Sequence, residues 1–256
     1  MHDNQKWPDT IWIIRHGESA GNVARDQAEA AGTARIDLAI RDVDVPLSPL
    51  GEQQARALGR WFRENTAEQP PTVILTSPYL RARTTANLVL ENAGISHDSV
   101  LMVVDERLRE REFGILDRLT KRGIEEHFPD QAAMRTLLGK FYHRPPGGES
   151  WCDVILRLRS VIGSITRDYR GERVLVFCHQ VIVLCLRYLL ERMTEEEILA
   201  IDRLGDIANC SITSYIFDPA AGAQGRMKPA LFNFVAPLEQ AGAPVTSKPD
   251  APVGAK

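Results

Sequence analysis

The residues best suited to chemistry in this 256-residue chain lie where apolar runs stop. Ile11-Trp12-Ile13-Ile14 passes directly into Arg15, His16 and Gly17. A histidine at such a point can serve as nucleophile, acid or base, and the glycine permits a tight turn and a close backbone approach. A second run, residues 174–177, leads into Cys178, His179 and Gln180. In a third, Thr76-Ser77-Pro78-Tyr79-Leu80-Arg81, a strand runs into a helix with Arg81 in its first turn. Free N–H groups, the helix dipole and a bidentate guanidinium there all favour an anion. A fourth segment, Leu108-Arg109-Glu110-Arg111-Glu112-Phe113-Gly114, contributes carboxylates. One of these, held protonated by neighbouring negative charge, would supply a leaving-group proton. Taken singly, each segment also fits a solvated strand end, a capped surface helix or an exposed charge run. Two strands that each end in His with an Arg nearby are harder to assign to coincidence. Cys178 is read as core, because strand neighbours point to opposite faces and apolar residues follow it.

The elements that must position these groups follow from apolar periodicity. Residues 10–14, 72–76, 100–104 and 173–178 read as strands buried on both faces, the pattern of a mostly parallel sheet. Helical stripes are marked by Leu47, Leu50, Leu58, Trp61 and Phe62, and by Leu80, Thr84 and Leu88. The cleanest runs from Trp151 through Val154, Ile155, Leu158, Val161, Ile162 and Ile165 to Tyr169. Ser77-Pro78 reads as N-cap and first helical residue, and Ser150 with Asp153 as a capping box. Alternating strands and helices predict a three-layer α/β/α sandwich with helices on both faces of a mostly parallel sheet. Ligands in such sheets bind at the carboxyl ends of the strands, where the His and Arg residues gather. Residues 211–217 and 230–235 are expected to add edge strands. The expected organisation is an N-terminal extension (1–9), a single domain (10–237) and a disordered Ala/Pro/Gly-rich tail (238–256). Two long connections within the domain, 23–44 and 105–148, are of the length that usually serves function.

Composition narrows the partners. The chain is 44% hydrophobic and 25% charged with a net charge of −3, which suits an ordinary globular protein and not one whose main partner is nucleic acid or an anionic membrane. Any bound anion must therefore meet a local cluster of positive charge. The most apolar run, residues 181–186, is too short to span a bilayer. Cys152, Cys178, Cys185 and Cys210 lack metal-ligand spacing, and no basic-apolar-small leader opens the sequence. These features predict a reduced, cytoplasmic protein.

The motifs also occur together in a telling order. Arg15-His16-Gly17-Glu18 with Asn22, Leu47-Ser48-x-x-Gly51-x-x-Gln54-Ala55, Ser77-Pro78-x-x-Arg81-Ala82-x-x-Thr85-Ala86 and then His179 resemble the histidine phosphatase, or phosphoglycerate mutase-like, superfamily. The resemblance implies a phosphate pocket of Arg15, His16, Arg81 and His179, with His16 transiently phosphorylated. It implies Glu110 as the acid that protonates the leaving oxygen and then activates water, with Asn22 and Gln180 as secondary phosphate donors. No metal or cofactor is implied, since guanidinium and imidazolium supply the positive charge. The stretch from His127-Phe128-Pro129 to Glu149-Ser150, with Cys178-His179-Gln180, is closest to the fructose-2,6-bisphosphatase and broad phosphatase branch. There it helps to cover substrate, which adds Glu149 and Ser150 to the substrate-binding set. Phosphoglycerate mutases usually follow their second His with Gly and carry an Arg-Arg segment, which residues 115–148 lack. The expectation is a phosphomonoester hydrolase acting on a small phosphorylated metabolite such as a sugar phosphate or phosphoglycerate. Its rivals are a cofactor-dependent phosphoglycerate mutase and a non-catalytic phosphate-recognition protein. Substrate identity and oligomeric state, monomer or homodimer, stay open at this level.

Overall fold

Strand β1 (Thr10–Arg15) sends Ile11 and Ile13 to one side and Trp12 and Ile14 to the other, as a pleated strand must. In the computed structural model, which describes residues 5–247, helices cover both sides. After β1 come α1 (Ala20–Ala30), α2 (Pro49–Asn65), β2 (Val73–Thr76), α3 (Leu80–Ala93) and β3 (Leu101–Val104). The chain continues through α4 (Lys121–His127), α5 (Pro129–Tyr142), α6 (Trp151–Asp168), β4 (Arg173–Cys178), α7 (Gln180–Glu191) and α8 (Glu195–Leu204). Strands β5 (Ile212–Asp218) and β6 (Arg226–Phe234) and the short α9 (Ala236–Gln240) follow.

The strands form one six-stranded sheet in the order β3-β2-β4-β1-β5-β6. Pairings β3-β2, β2-β4 and β4-β1 are parallel, while β5 runs antiparallel to β1 and β6 to β5. Trp151, Val154 and Leu158 of α6 and Ile182 and Leu186 of α7 pack over Ile11 and Ile13. Leu58 and Phe62 of α2, Val89 and Leu90 of α3 and Leu238 of α9 pack over Trp12 and Ile14. The expected three-layer α/β/α sandwich is therefore the observed one. Each fully buried Leu, Ile, Val or Phe contributes about 1.5–3 kcal/mol. Two such apolar slabs offset the cost of burying charge at the rim.

Several local expectations are corrected. Residues 23–44 are not all connection, because helix α1 starts at Ala20 behind a Ser19–Asn22 capping box. Helix α3 starts at Leu80, not Pro78, and Tyr79 holds its N-cap position. Its buried face is Arg81, Ala82, Thr85, Ala86, Val89 and Leu90, while Leu80 is exposed. The apolar stripe of Leu80, Thr84 and Leu88 misses that face because the polar side chains of Arg81 and Thr85 occupy it. Strand β5 lies inside the sheet, leaving β6 and β3 at its edges. Leu101 and Val104 of β3 are consequently exposed, not buried on both sides. Residues 238–247, though mostly exposed, are anchored at points: Leu238 is buried, and Gln54 Nε2 donates to Pro244 O and Thr246 Oγ1 at 2.9 Å each. Residues 1–4 and 248–256 lie outside the described residues.

One close approach fixes how the chain leaves β1. A Cβ on Gly17 would lie 2.5 Å from Gly51 O, and a Cβ on Gly51 would lie 1.9 Å from Glu18 O. The backbones of the segment after β1 and the first turn of α2 therefore touch directly, with Ser48 N–H donating to Glu18 O at 2.9 Å. No side chain can yield here, so the strain falls on the backbone. Gly51→Ala is expected to destabilise the fold by about 3 kcal/mol, read as a lower midpoint in urea unfolding. An unchanged midpoint would mean that this approach is not a constraint.

Candidate functional site

Strand β4 lies between β2 and β1, so the carboxyl ends of these strands bring Ser77, His179 and His16 side by side. The ladder continues one residue beyond the strands. His16 N–H donates to Cys178 O and Ser77 N–H to Phe177 O, both at 3.0 Å. Arg81 reaches the same place from the first turn of α3, and its Nε–H donates to His16 Nε2 at 3.2 Å. The His16 and His179 rings meet edge to face at 5.1 Å. Arg15, His16, Arg81 and His179 are all buried.

The protonation state of His16 follows from its partners. A guanidinium has only donors, so His16 Nε2 must offer a lone pair. Nδ1 lies 2.6 Å from Gly17 O, an acceptor, and must carry the proton. His16 is thus neutral, with the Nε2 lone pair facing Arg81. Its backbone is fixed from several sides. Gly17 N–H donates to Thr85 Oγ1 at 3.0 Å, Glu18 N–H to Gln54 Oε1 at 2.9 Å, and Asn209 Nδ2 to His16 O at 3.0 Å. Cys210 N–H donates to Arg15 O at 3.0 Å, and the Arg15 guanidinium donates to Ile207 O.

His179 Nε2 lies 2.8 Å from Ser77 Oγ. The Tyr79 ring stacks edge-on against His179 at 5.1 Å and lies under the Arg81 guanidinium at 4.9 Å. Burial, with the charges of Glu112 and Asp42, pushes the Tyr79 hydroxyl well above its ordinary range. It stays protonated and donates to Glu112 Oε1 at 3.0 Å. That bond ties the segment bearing Glu110 to the rim. Glu110 is buried, and its Oε1 accepts Arg111 N–H at 2.7 Å.

A buried guanidinium that donates to a neutral histidine, beside a second buried histidine, is an arrangement suited to holding an anion against a nucleophile. The sequence model of the histidine phosphatase superfamily (branch 1) matches residues 11–227. The chain belongs to the histidine phosphatase superfamily. Mouse 6-phosphofructo-2-kinase/fructose-2,6-bisphosphatase 1 is 31% identical over 190 residues, which are 74% of this chain and 34% of that protein. Arabidopsis thaliana phosphoglycerate mutase-like protein AT74H is 32% identical over 182 residues, 68% of this chain and 59% of its own length. The chain thus spans only part of these curated relatives. Among solved structures, Bacillus stearothermophilus YhfR superposes with a TM-score of 0.68 at 25% identity, over 90% of this chain and 98% of that one. A mycobacterial glucosyl-3-phosphoglycerate phosphatase superposes with a TM-score of 0.64 at 24% identity, over 90% of this chain and 99% of its own.

Several other expected site residues make framework contacts. Asn22 Oδ1 accepts from Ser19 N–H and Ser19 Oγ, each at 2.9 Å, and so completes the cap of α1. Gln180 opens α7 and donates from Nε2 to Asp206 Oδ1 at 2.9 Å. Ser150 caps α6. The Glu149 carboxylate accepts from Arg109, Arg157 and Glu112 N–H at 2.8–3.1 Å. Arg157 in turn donates to the backbone oxygens of Arg107 and Glu110. Glu149 therefore braces the acid-bearing segment through α6. Tyr79 and Asp42, which the sequence did not single out, and Ser77, read there as a helix cap within a motif, contact His179 or Arg81 directly. Thr85 and Gln54 were part of the recognised motifs, and their role is to hold the backbone beside His16. Among the described residues, no group of three or more His, Cys, Asp and Glu could hold a metal ion, and no helix is long and apolar enough to cross a membrane.

A cavity of about 420 Å³ opens between α4, α5 and α8, lined by Lys121, Ile124, Arg135, Lys140, Leu199 and Asp202 among others. Burial and the charge of Arg135, one of the lining residues, lower Arg111 to about 10.

Burial alone would raise the Glu149 carboxyl, but its hydrogen bonds and the charges of Arg157 and Arg109 outweigh that and hold it below its ordinary 4.5. A depressed carboxylate contributes stability that is present above pH 4.5 and is lost as pH falls. Glu149→Gln is expected to lower stability by about 2 kcal/mol at neutral pH, and by progressively less below pH 4.5. Urea unfolding at about pH 7 and about pH 3.5 checks this; a pH-independent penalty would contradict it.

Proposed function

We propose that this protein hydrolyses the phosphomonoester of a small metabolite through a phosphohistidine on His16. The carrying observation is the neutral His16, with its Nε2 lone pair directed into a buried guanidinium site. In this reading the phosphoryl group enters between Nε2 and the guanidiniums. Nε2 attacks phosphorus in line while the bond to the leaving oxygen breaks. Arg15, Arg81 and His179 balance charge on the equatorial oxygens, the preorganised electrostatics on which phosphoryl transfer depends. Ser77 and Tyr79 hold His179 in place. Glu110 gives its proton to the leaving oxygen, then takes one from the water that attacks phosphorus and breaks the N–P bond. Inorganic phosphate and neutral His16 are regenerated.

The substrate fits a small sugar- or glycerate-linked phosphate, in keeping with the names of a curated relative and of a structural neighbour. A reducing cytoplasmic setting suits the free cysteines, whose thiols at 185 and 210 are pushed up by burial.

His16→Ala should abolish both turnover of a generic aryl phosphate and covalent labelling from radiolabelled phosphate ester. Retained turnover would sink the proposal. Glu110→Gln should lower kcat on alkyl phosphates about 100- to 10,000-fold, while rapid labelling of His16 from an aryl phosphate persists, because a phenolate needs less protonation to leave. Incubation with 3-phosphoglycerate and a bisphosphoglycerate primer separates hydrolysis from mutase activity.

A further inference from the structure

The fork of Arg81 is held by a carboxylate of the chain itself. Nη1 donates to Asp42 O at 2.7 Å and to Asp42 Oδ1 at 2.9 Å, and Nη2 donates to Asp42 Oδ2 at 3.3 Å. Two coplanar oxygens on the two terminal nitrogens of a guanidinium are also how a phosphoryl group takes such a fork. The same N–H groups cannot serve both anions at once.

Asp42 opens a short 3-10 turn, Asp42–Asp44, and the segment before it has its own anchors. Arg118 donates to Leu38 O at 2.9 Å and to Ile40 O at 3.0 Å, and Ile36 N–H donates to Arg118 O at 2.9 Å. The segment does not depend on Arg81 for its position. Exposure is also unequal within the pair: the Arg81 side chain is 1% exposed and that of Asp42 is 32% exposed. Asp42 is the partner that can turn to water: a side-chain rotation frees the N–H groups held by Oδ1 and Oδ2, while the backbone Asp42 O keeps its own bond to Nη1. Its negative charge already raises Asp117 and Tyr79, after the larger effect of burial on each. An incoming phosphate dianion meets the same field.

We propose that Asp42 is a resident competitor for the phosphate site, setting its affinity by holding the Arg81 fork until a phosphoryl group displaces it. This rests on the reading of Arg81 as a phosphate ligand. Binding is then an exchange in which phosphate gains the fork and Asp42 gains water. Substrate and product phosphate face the same competitor, so both affinities are lowered by one factor. The site gives up KM and gains easier release of phosphate, so tight binding is not wasted on ground state and product. A carboxylate that merely aimed Arg81 at its ligand would act in the opposite direction, because its removal would weaken phosphate.

The test titrates inorganic phosphate and orthovanadate into the wild type, Asp42→Asn and Asp42→Ala by calorimetry, and measures each as an inhibitor of aryl phosphate hydrolysis. The expected result is that the phosphate Kd and the KM fall together by about tenfold, equivalent to about 1.4 kcal/mol, while the ratio of Ki to KM is unchanged. Thermal unfolding identifies any variant that does not fold, and the two substitutions must agree in direction. Phosphate binding that is equal or weaker in folded variants overturns the proposal even if turnover persists. Tighter binding by the variants of a protein with no turnover would support it while removing the phosphatase reading.

Discussion

A guanidinium N–H directed at the lone pair of a neutral imidazole is the contact on which the rest of this structure depends. Arg81 Nε and His16 Nε2 are 3.2 Å apart in a place without bulk water. That contact sets the tautomer of His16 and keeps the nitrogen that would meet phosphorus unprotonated. Arg81 is buried to make it, and Arg15 is buried as well. Buried cations cost several kcal/mol unless their donors are met. Ile207 O meets Arg15 and Asp42 meets Arg81, so both acceptors belong to segments far from β1 and α3 in sequence.

The surrounding architecture keeps these groups from relaxing. Thr85, Gln54, Asn209 and Cys210 hold the backbone through His16 to Glu18, and Gly17 and Gly51 let two backbones touch. A second bracing unit lies on the other flank. Glu149 joins Arg109, Arg157 and the Glu112 N–H, while Tyr79 spans from Arg81 and His179 to the Glu112 carboxylate. The segment bearing Glu110 and helix α3 are thereby coupled without a covalent link.

Much of this frame was legible in the chain. Strands β1 and β4 announce themselves as continuous apolar runs, and the residue after each is a histidine. Ser150 and Asp153 mark the start of α6, and the apolar stripe that follows is the buried one. Where function reverses the usual rule, the reading failed. Helix α3 buries Arg81 and Thr85 and exposes Leu80, so apolar periodicity selects the wrong face. Asn22, Glu149 and Ser150, expected at the substrate, also serve the fold as caps and braces. Helix α1 was missed because its stretch of Ala, Arg, Asp and Gln has a weak apolar stripe and one buried side rich in small or polar residues.

By itself the sequence determined the elements, the sandwich of layers and the identities of the groups at the strand ends. Those depend on local periodicity, on caps and on residue chemistry, all of which are written along the chain. Only the tertiary structure decided which groups meet. The parallel order that seats β4 between β1 and β2 puts Ser77 on His179 and His179 beside His16. The packing of α3 and of the segment before α2 puts Asp42 on Arg81 across 39 residues of chain. Hydrogen-bond partners at such separation have no local signature, because distance along the chain carries no information about distance across a sheet rim.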